Sequence, residues 1–311
     1  MKTLTRRKVL FISLLVMSVA FNSSVNGSES HIVVDAETGI ILIDKDPEKV
    51  RQIASLTKIA TTVVALEWIK DSGGGLSQKM AVTSQAVAGG ANPLALKVGD
   101  FVSLESAVYA AMMASDNTSA SIIAEHIGHL MDPTKLGEDA VQNFVVAMNQ
   151  LAESLGMEGT KFVNPHGLDG DGDLGVSTAE DVARLTMHAY TIPEFFGFCS
   201  EKEHEVIVER SGSDSPTRIL NTNELVGSRG IDGTKTGTTF RAGACLVASA
   251  TREFPETETG KPKRLIVVVL KSEDRFRDAV LLLNEGWVAY EKWLTEGERL
   301  DTNHSLLNKG N

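Results

Sequence analysis

Apolar and polar residues follow regular intervals along most of this chain, and these intervals predict its elements. The stretch 31–44, His-Ile-Val-Val-Asp-Ala-Glu-Thr-Gly-Ile-Ile-Leu-Ile-Asp, predicts two short strands joined at a Glu-Thr-Gly turn. Residues 55–70 then follow helical spacing, with apolar side chains at Leu56, Ile59, Val63 and Leu66. The pattern therefore predicts an opening hairpin followed by a helix with Ser55 at its start.

The middle of the chain is predicted to be helical and its last third to contain strands. Apolar periodicity predicts four further helices, at 103–113, 118–127, 141–155 and 178–189. Ser177, followed three residues later by Glu180, predicts a capping box before the last of these. Two runs rich in Val, Leu and Ile predict strands, and a final helix follows, at 244–250, 265–270 and 278–294. Strands near both ends of the chain with helices between them predict an α+β fold with one sheet built from distant segments.

The first residues combine positive charge with an apolar run. Lys2, Arg6, Arg7 and Lys8 precede the apolar stretch 9–21, which is too short to span a bilayer comfortably. We interpret 1–27 as a secretory signal peptide, with cleavage after Ala20 or near 26–28 both left open. A retained N-terminal anchor is the alternative. The predicted organisation is thus a leader (1–27), one catalytic domain (28–295) and a polar C-terminal tail (296–311).

Charge and cysteine content restrict the possible partners. The 311-residue chain carries a net charge of −11, and losing four positive residues with the leader would bring it to −15. This charge argues against nucleic acid as a partner. The two cysteines, Cys199 and Cys245, either pair in the oxidising environment that export implies or remain buried thiols. Cys245 lies in an apolar, strand-like run, which favours a buried free thiol.

Three short strings carry the candidate chemistry: Ser-Leu-Thr-Lys at 55–58, Ser-Asp-Asn at 115–117 and Lys-Thr-Gly at 235–237. Ser55 and Lys58 are three residues apart, so on a helix the amine can reach the hydroxyl. A lysine activates a serine only when it is neutral, so the pKa of Lys58 must fall toward the working pH. A cation about 4 Å away would lower that pKa by about three units at an effective dielectric constant of about 20. We predict that Lys235 is this cation, with partial burial adding to its effect.

The remaining residues of these strings fit an acyl-transfer site. Free backbone N–H groups at the helix start and the N–H of Thr238 can form an oxyanion hole, and Gly237 suits a strand edge where a substrate backbone lies close. Ser115 can relay a proton to the leaving amine. Asn117 can hold a substrate amide or the Lys58 side chain. Thr236 and Lys235 can bind a substrate carboxylate.

With these strings in this order, the sequence resembles the serine D-alanyl-D-alanine carboxypeptidases, which are low-molecular-mass penicillin-binding proteins of peptidase family S11. The resemblance extends to the segments around the strings and covers about 31–293; the matching segments are 54–61, 164–168, 233–239 and 242–250. It implies an acylated nucleophile at Ser55, a general base at Lys58, a proton relay at Ser115 and a carboxylate-binding residue at Lys235. An arginine before the last helix would help to bind that carboxylate, and Arg275 matches it best, with Arg277 left open.

The resemblance also implies a fold and a substrate. The fold would be the one that DD-peptidases and β-lactamases share, an antiparallel sheet flanked by helices with a mostly helical lobe. The substrate would be a peptidoglycan stem peptide ending in D-Ala-D-Ala, processed in the periplasm or elsewhere in the cell envelope, with β-lactams as inhibitors and without a cofactor or metal. Many family members continue into a β-rich domain and an amphipathic anchor, whereas this chain stops near its last predicted helix, so attachment to a membrane by that route is in doubt.

Other functions remain open at this point. Asp116 stands where the family often has glycine and gives the Ser-Asp-Asn string of class A β-lactamases, yet the Glu-x-x-x-Asn string of their deacylation loop is absent between 117 and 235. A DD-endopeptidase of the same fold is a second alternative. The acidic stretch 169–173, with Glu180 further on, suggests a calcium loop, although its sixth position is Leu174 instead of glycine. His166 is interpreted as shaping a loop near the site.

Overall fold

The computed structural model describes residues 27–170, 172–254, 262–295 and 305–308. The predicted leader therefore lies outside the described residues except for Gly27, as does most of the predicted tail. Within the described ranges, nine strands form two sheets: β1 (Ser28–Asp35), β2 (Ile41–Lys45), β3 (Lys79–Ala81), β4 (Phe101–Ser103), β5 (Glu203–Arg210), β6 (Ser213–Leu220), β7 (Ile231–Thr239), β8 (Gly243–Arg252) and β9 (Lys263–Ser272).

The helices fill the middle and the end of the described chain. They are α1 (Lys58–Ser72), α2 (Ser84–Val87), α3 (Leu104–Met113), α4 (Asn117–Met131), α5 (Glu138–Ser154), α6 (Ala179–Ala189), α7 (Gly197–Ser200) and α8 (Arg275–Thr295). Single turns of 3₁₀ helix occupy Ala54–Thr57 and Leu306–Asn308. The predicted helices in the middle of the chain and the final helix are all present, with ends shifted by a few residues.

The main sheet joins the two ends of the chain. Its five antiparallel strands lie in the order β2-β1-β9-β8-β7, and Ile32 of β1 faces Val268 of β9. Alternate side chains of these strands point to opposite faces. Val33 and Val267 pack with α8, whereas Ile32 and Val268 belong to the core of the helical lobe. Both faces are therefore covered, which explains why β8 and β9 are continuous apolar runs.

A helical lobe covers the second face of this sheet, and α1 lies at its centre. Helix α1 contacts α3, α4, α5 and α6. Ile59, Val63 and Leu66 are buried as predicted, and so are the polar residues Thr61 and Thr62 between them. Because α1 is enclosed on all sides, its buried residues are not confined to one apolar face. The spacing of its apolar residues therefore predicted only some of the residues that are buried.

The second sheet is a correction to the predicted single sheet. Its four strands lie in the order β3-β4-β5-β6. Two of them contain only three residues, too few to show a period of two. The β5–β6 hairpin does carry a signal, because Val206 and Val208 are buried at alternate positions and Ser211-Gly212 forms a turn with φ values of +51° and +78°.

Two local expectations also change. Thr178, not Ser177, caps α6, since its hydroxyl accepts a hydrogen bond from the Asp181 N–H at 3.0 Å. The backbone of Ser177 instead pairs with that of Arg51.

Cys199 and Cys245 are both free and buried, so the alternative of a disulfide is wrong and the buried thiol at Cys245 is confirmed.

The last described residues return to the opening hairpin. The N–H of Leu306 donates to the Gly39 carbonyl at 2.9 Å, the Ser305 hydroxyl donates to the Thr38 carbonyl at 2.8 Å, and the Leu306 side chain is buried. None of the helices in the described ranges is both long enough and apolar enough to cross a membrane.

We expect Gly128→Ala to destabilise the fold. A Cβ atom at Gly128 would lie 1.9 Å from the Ala140 carbonyl oxygen, so α4 and α5 would have to separate. Overpacking costs roughly 1–3 kcal/mol, and an approach of 1.9 Å to a backbone oxygen places this variant at the upper end, above the gain of about 1 kcal/mol in helix propensity. Thermal unfolding should show a lower midpoint. Gly75→Ala is the control, because the nearest atom to its Cβ would be 3.7 Å away; an equal shift in both variants would contradict the packing argument.

Candidate active site

Ser55 lies on the 3₁₀ turn that leads into α1. The turn begins at Ala54, whose φ is +49°, and the Thr57 hydroxyl donates to the Ala54 carbonyl at 2.8 Å. The expected helix start is therefore present, with a tighter first turn than the sequence predicts. Ser55 remains partly exposed at the surface of the lobe, so its hydroxyl can be reached from solvent.

Lys58 is fully buried and has three oxygen partners. Its Nζ lies 2.8 Å from Ser55 Oγ, 2.6 Å from Asn117 Oδ1 and 3.0 Å from the His166 carbonyl oxygen. An ammonium group has three hydrogens, and these partners take up all three. The first and second strings are thus joined through one amine, as the sequence predicts for Asn117 in the second of its two suggested roles.

Burial lowers the pKa of Lys58 to about 7, while the charge of Asp116 acts in the opposite direction. Burial also lowers the pKa of Lys235 well below its usual value, and the charges of Lys58 and Arg275 add to this effect. The prediction that the Lys235 charge is the main cause of the lowered Lys58 pKa is wrong: burial lowers it, and no effect of the Lys235 charge on this pKa is found. Both amines lie in the interior, where the loss of hydration disfavours their charged forms.

The second string forms the junction between α3 and α4. Ser115 adopts a left-handed conformation with φ of +58° and remains partly exposed. Asp116 is the buried N-cap of α4, and Asn117 is the first residue of that helix. The N–H of Asn117 donates to the Ala91 carbonyl at 2.8 Å. The turn thereby directs the Asn117 amide toward Lys58.

The loop 164–168 supplies the third partner of Lys58. The Asn164 side chain accepts hydrogen bonds from the N–H groups of His166 and Gly167, at 3.2 and 2.6 Å, and donates to the Leu168 carbonyl at 3.0 Å. Gly167 has φ of +79°, and a Cβ there would lie 2.0 Å from the Ala54 carbonyl oxygen. The loop can therefore lie against the Ser55 turn only with glycine at this position.

His166 takes part in the site through its backbone, in agreement with the interpretation that it shapes a loop. Burial, together with the charge of Lys58, lowers the pKa of its imidazole to about 3. Its Nδ1 accepts a hydrogen bond from the Leu168 N–H at 3.2 Å. The ring is thus neutral at physiological pH, and the carbonyl is the group that contacts Lys58.

Strand β7 brings the third string to the Ser55 turn. A Cβ at Gly237 would lie 3.0 Å from the Ser55 nitrogen and 2.9 Å from the Ile53 carbonyl oxygen. The absence of a side chain at Gly237 therefore allows contact with the turn, and the close approach of a substrate backbone to this strand stays a prediction. Thr238, the next residue, is exposed beside this contact.

The other groups predicted to bind a carboxylate lie on β7 or contact it from α8. Lys235 is buried and its Nζ donates to the Thr236 carbonyl at 3.0 Å. The Thr236 hydroxyl is hydrogen-bonded to that of Thr222 at 2.6 Å. Arg275, at the start of α8, donates to Thr238 Oγ1 at 2.7 Å and to the Gly237 carbonyl at 3.0 Å. Arg277 is exposed, so packing places Arg275 rather than Arg277 at the strand.

A buried polar network that the sequence did not reveal supports β7 just before its lysine. The Tyr190 hydroxyl lies 2.8 Å from Thr234 Oγ1 and 2.6 Å from Ser249 Oγ. Ser249 in turn donates to Asp232 at 2.6 Å, and Arg264 donates to the same carboxylate at 3.0 Å. Arg264 also lies over the Tyr190 ring, with its guanidinium carbon 4.2 Å from the ring centroid. Only the spatial meeting of α6, β7, β8 and β9 assembles these residues.

Comparison with known proteins identifies the family of this chain. The model of the D-alanyl-D-alanine carboxypeptidase family, peptidase family S11, matches residues 18–274. This chain belongs to that family. Arg275 is the first residue beyond the matched stretch.

Two curated relatives of this chain are named for different activities. The D-alanyl-D-alanine carboxypeptidase DacC of Escherichia coli is 31% identical over 271 residues, which cover 84% of this chain and 61% of DacC. A D-alanyl-D-alanine endopeptidase of Pseudomonas aeruginosa is 32% identical over 227 residues, covering 72% of this chain and 67% of that protein. The chain thus spans about three fifths of the length of DacC.

A solved structure shows the same fold. Penicillin-binding protein D2 of Listeria monocytogenes, in its ampicillin-bound form, superposes with a TM-score of 0.69 at 28% identity. The superposition covers 84% of this chain and 97% of the Listeria chain. The expected α+β fold of a DD-peptidase is thereby confirmed.

The acidic stretch suggested as a calcium loop is engaged in other contacts where it is described. Asp171 lies outside the described residues. Asp169 accepts a hydrogen bond from the Arg241 N–H at 3.3 Å, and Asp173 pairs with Lys161 at 2.6 Å. Glu180 pairs with Arg184 at 3.1 Å. In the described part of the chain, no three His, Cys, Asp or Glu side chains lie close enough together to hold a metal ion.

We expect Asn164→Ala to slow acylation of this S11 family member by a fluorescent penicillin, by at least about tenfold, because a small misplacement of catalytic groups is costly. The variant loses the three hydrogen bonds that shape the 164–168 loop and thus the carbonyl that contacts Lys58. Asn149→Ala is the matched control, since Asn149 bonds both backbone groups of Phe162 at 2.9 Å but does not reach His166. Equal labelling rates in the two variants would contradict this role.

Proposed function

We propose that this chain is an exported serine D-Ala-D-Ala carboxypeptidase that removes the terminal D-alanine from peptidoglycan stem peptides and is inhibited by β-lactams. The observation that carries the proposal is the contact of the buried Lys58 amine with Ser55 Oγ at 2.8 Å. A lysine with a pKa of about 7 is substantially neutral at physiological pH. A neutral amine at hydrogen-bond distance from a serine is the arrangement that general-base activation requires.

In the proposed acylation, Ser55 Oγ attacks the carbonyl carbon of the penultimate D-alanine while Lys58 accepts the hydroxyl proton. The N–H groups of Ser55 and Thr238 would donate to the oxyanion, and the closeness of Gly237 to the Ser55 nitrogen supports this placement. When the C–N bond breaks, the amine of the leaving D-alanine takes a proton through Ser115. Water then attacks the ester carbonyl, and proton transfer back to Ser55 Oγ regenerates the serine and releases the shortened peptide.

The substrate would lie along the edge of the main sheet. Strand β7 is an edge strand, so an extended peptide can pair with it as an additional strand. The terminal carboxylate would bind near Lys235, Thr236 and Arg275. An arriving carboxylate favours the protonated form of Lys235, which offsets the effect of burial on its pKa.

The DD-endopeptidase alternative shares this chemistry and differs in the amine that leaves. The relative from Pseudomonas aeruginosa, 32% identical, carries that name and keeps this second candidate open. A class A β-lactamase is less well supported, because the glutamate string of its deacylation loop is absent between 117 and 235.

The deciding experiment compares wild type with Ser55→Ala. We expect a fluorescent penicillin to label wild type and not the variant, with Ser72→Ala, a serine at the far end of α1, labelled like wild type. Equal labelling of wild type and Ser55→Ala would exclude Ser55 as the nucleophile. Release of D-alanine from diacetyl-Lys-D-Ala-D-Ala, compared with cleavage of a cross-linked muropeptide and with β-lactam turnover, then separates the carboxypeptidase from the endopeptidase and the β-lactamase.

The acylation rate should rise with pH through about 7, because Ser55 needs the neutral form of Lys58 and burial has lowered its pKa to about 7. At higher pH the rate should fall again as Lys235 loses the proton that binds the carboxylate, at a pH below the ordinary lysine value. Because the two lysines interact, the apparent pKa values of the two limbs belong to the pair and not to either lysine alone. A rate of labelling that stays flat from acid to neutral pH would contradict the role of Lys58 as base.

A further inference from the structure

Asp116 is a buried carboxylate whose two oxygens contact two different elements. Its Oδ1 accepts a hydrogen bond from the Ser119 N–H at 2.7 Å, which caps α4. Its Oδ2 accepts one from the Leu94 N–H at 3.1 Å, in the loop between α2 and β4. A cap requires only one acceptor, which a neutral serine or asparagine supplies at a lower cost of burial. The second bond therefore calls for a separate explanation.

The loop that Asp116 contacts forms a wall beside Asn117. The Ala91 carbonyl accepts the Asn117 N–H at 2.8 Å, and a Cβ at Gly90 would lie 3.0 Å from Asn117 Nδ2. Leu94 is buried and anchors the loop in the core. Asn117 is thus held between this loop and Lys58, and Asp116 fastens the loop to the same helix start.

Asp116 also acts on Lys58 through its charge. It raises the pKa of Lys58, and Lys58 lowers that of Asp116, although burial raises the Asp116 pKa overall. The other titratable groups that interact with Lys58 are Lys235 on β7 and His166 in the 164–168 loop. Lys235 is a cation when protonated and His166 is neutral, so neither of them favours a charged Lys58. The Asp116 carboxylate is therefore the group that favours the ammonium form of Lys58.

We propose that Asp116 is a positioning residue of the Ser55 site: it fastens the 90–96 loop to the start of α4 so that Asn117 stays on Lys58, and its negative charge offsets the burial of the Lys58 ammonium. This inference rests on the proposed acylation of Ser55. It assigns a function within this chain to the residue that replaces the glycine often found in the middle string of the family.

The test is the pH dependence of acylation by a fluorescent penicillin in Asp116→Asn. Asparagine carries no charge and has one acceptor oxygen, so it can still cap α4 through the Ser119 N–H but leaves the Leu94 N–H without this acceptor. Without the carboxylate the pKa of Lys58 falls, so the neutral base persists to lower pH. We expect the acid limb to move to lower pH by roughly one unit, and the maximal rate to fall because Asn117 is held less firmly.

Asp100→Asn is the matched control. Asp100 is likewise buried and holds the far end of the same loop, through the Lys97 N–H at 2.9 Å and through Arg210 at 2.7 Å. No effect of its charge on Lys58 is found. We expect Asp100→Asn to lower the thermal midpoint and to leave the acid limb where it is in wild type.

The outcomes separate this inference from the proposed function. If wild type is not acylated at Ser55, the proposed function fails. If wild type is acylated and the acid limb of Asp116→Asn stays in place, or moves equally in Asp100→Asn, the positioning role of Asp116 is overturned. Asp116→Ser provides a second neutral cap; if neither neutral variant folds, Asp116 belongs to the fold alone and the inference is equally overturned.

Discussion

The burial of one amine, that of Lys58, determines much of this structure. Removing an ammonium group from water costs several kcal/mol unless oxygen atoms replace the lost hydration. Here the replacements come from Ser55, Asn117 and the His166 carbonyl, which are 3, 59 and 108 residues away in sequence. The fold must therefore bring the Ser55 turn, the start of α4 and the 164–168 loop to one point. The close contacts made by Gly167 and Gly237 follow from this requirement, since side chains at either position would push the turn away.

This burial lowers the pKa of Lys58 and at the same time destabilises the folded state. In the unfolded chain Lys58 keeps its proton up to a pH near 10.5, whereas in the folded chain it loses the proton at about 7. Between these values the unfolded state binds more protons, so the contribution of this group to the free energy of unfolding rises with pH, and it is least favourable below about 7. Groups held in such unfavourable states are typical of functional sites. The surrounding apolar lobe, in which α1 is enclosed by four other helices, supplies the stability that offsets this cost.

The sequence predicts the side chains of the three strings and the backbone donors beside them, but it misses the His166 carbonyl and the side-chain network around Tyr190. The three strings, their order and the helix that follows Ser55 are visible because residue type and spacing carry them. The His166 carbonyl carries no such signal, because every residue has one. The three-residue strands β3 and β4 are too short to show a period, whereas the β5–β6 hairpin could have been found from the alternation of Val206 and Val208. The choice of Arg275 over Arg277 depends on how α8 meets β7, which only the packed structure decides.

The Ser-Asp-Asn string, the feature of the sequence that pointed toward a β-lactamase, has a different meaning in the structure. A residue that activates the deacylating water needs a carboxylate oxygen free to accept a proton from that water. Both oxygens of Asp116 accept hydrogen bonds from backbone N–H groups, and the residue is fully buried. Burial also raises its pKa, although its hydrogen bonds oppose the shift. Asp116 therefore organises the helix start instead of acting on water. In this chain the Ser-Asp-Asn string therefore forms the junction between α3 and α4, and it carries no evidence for the route of deacylation.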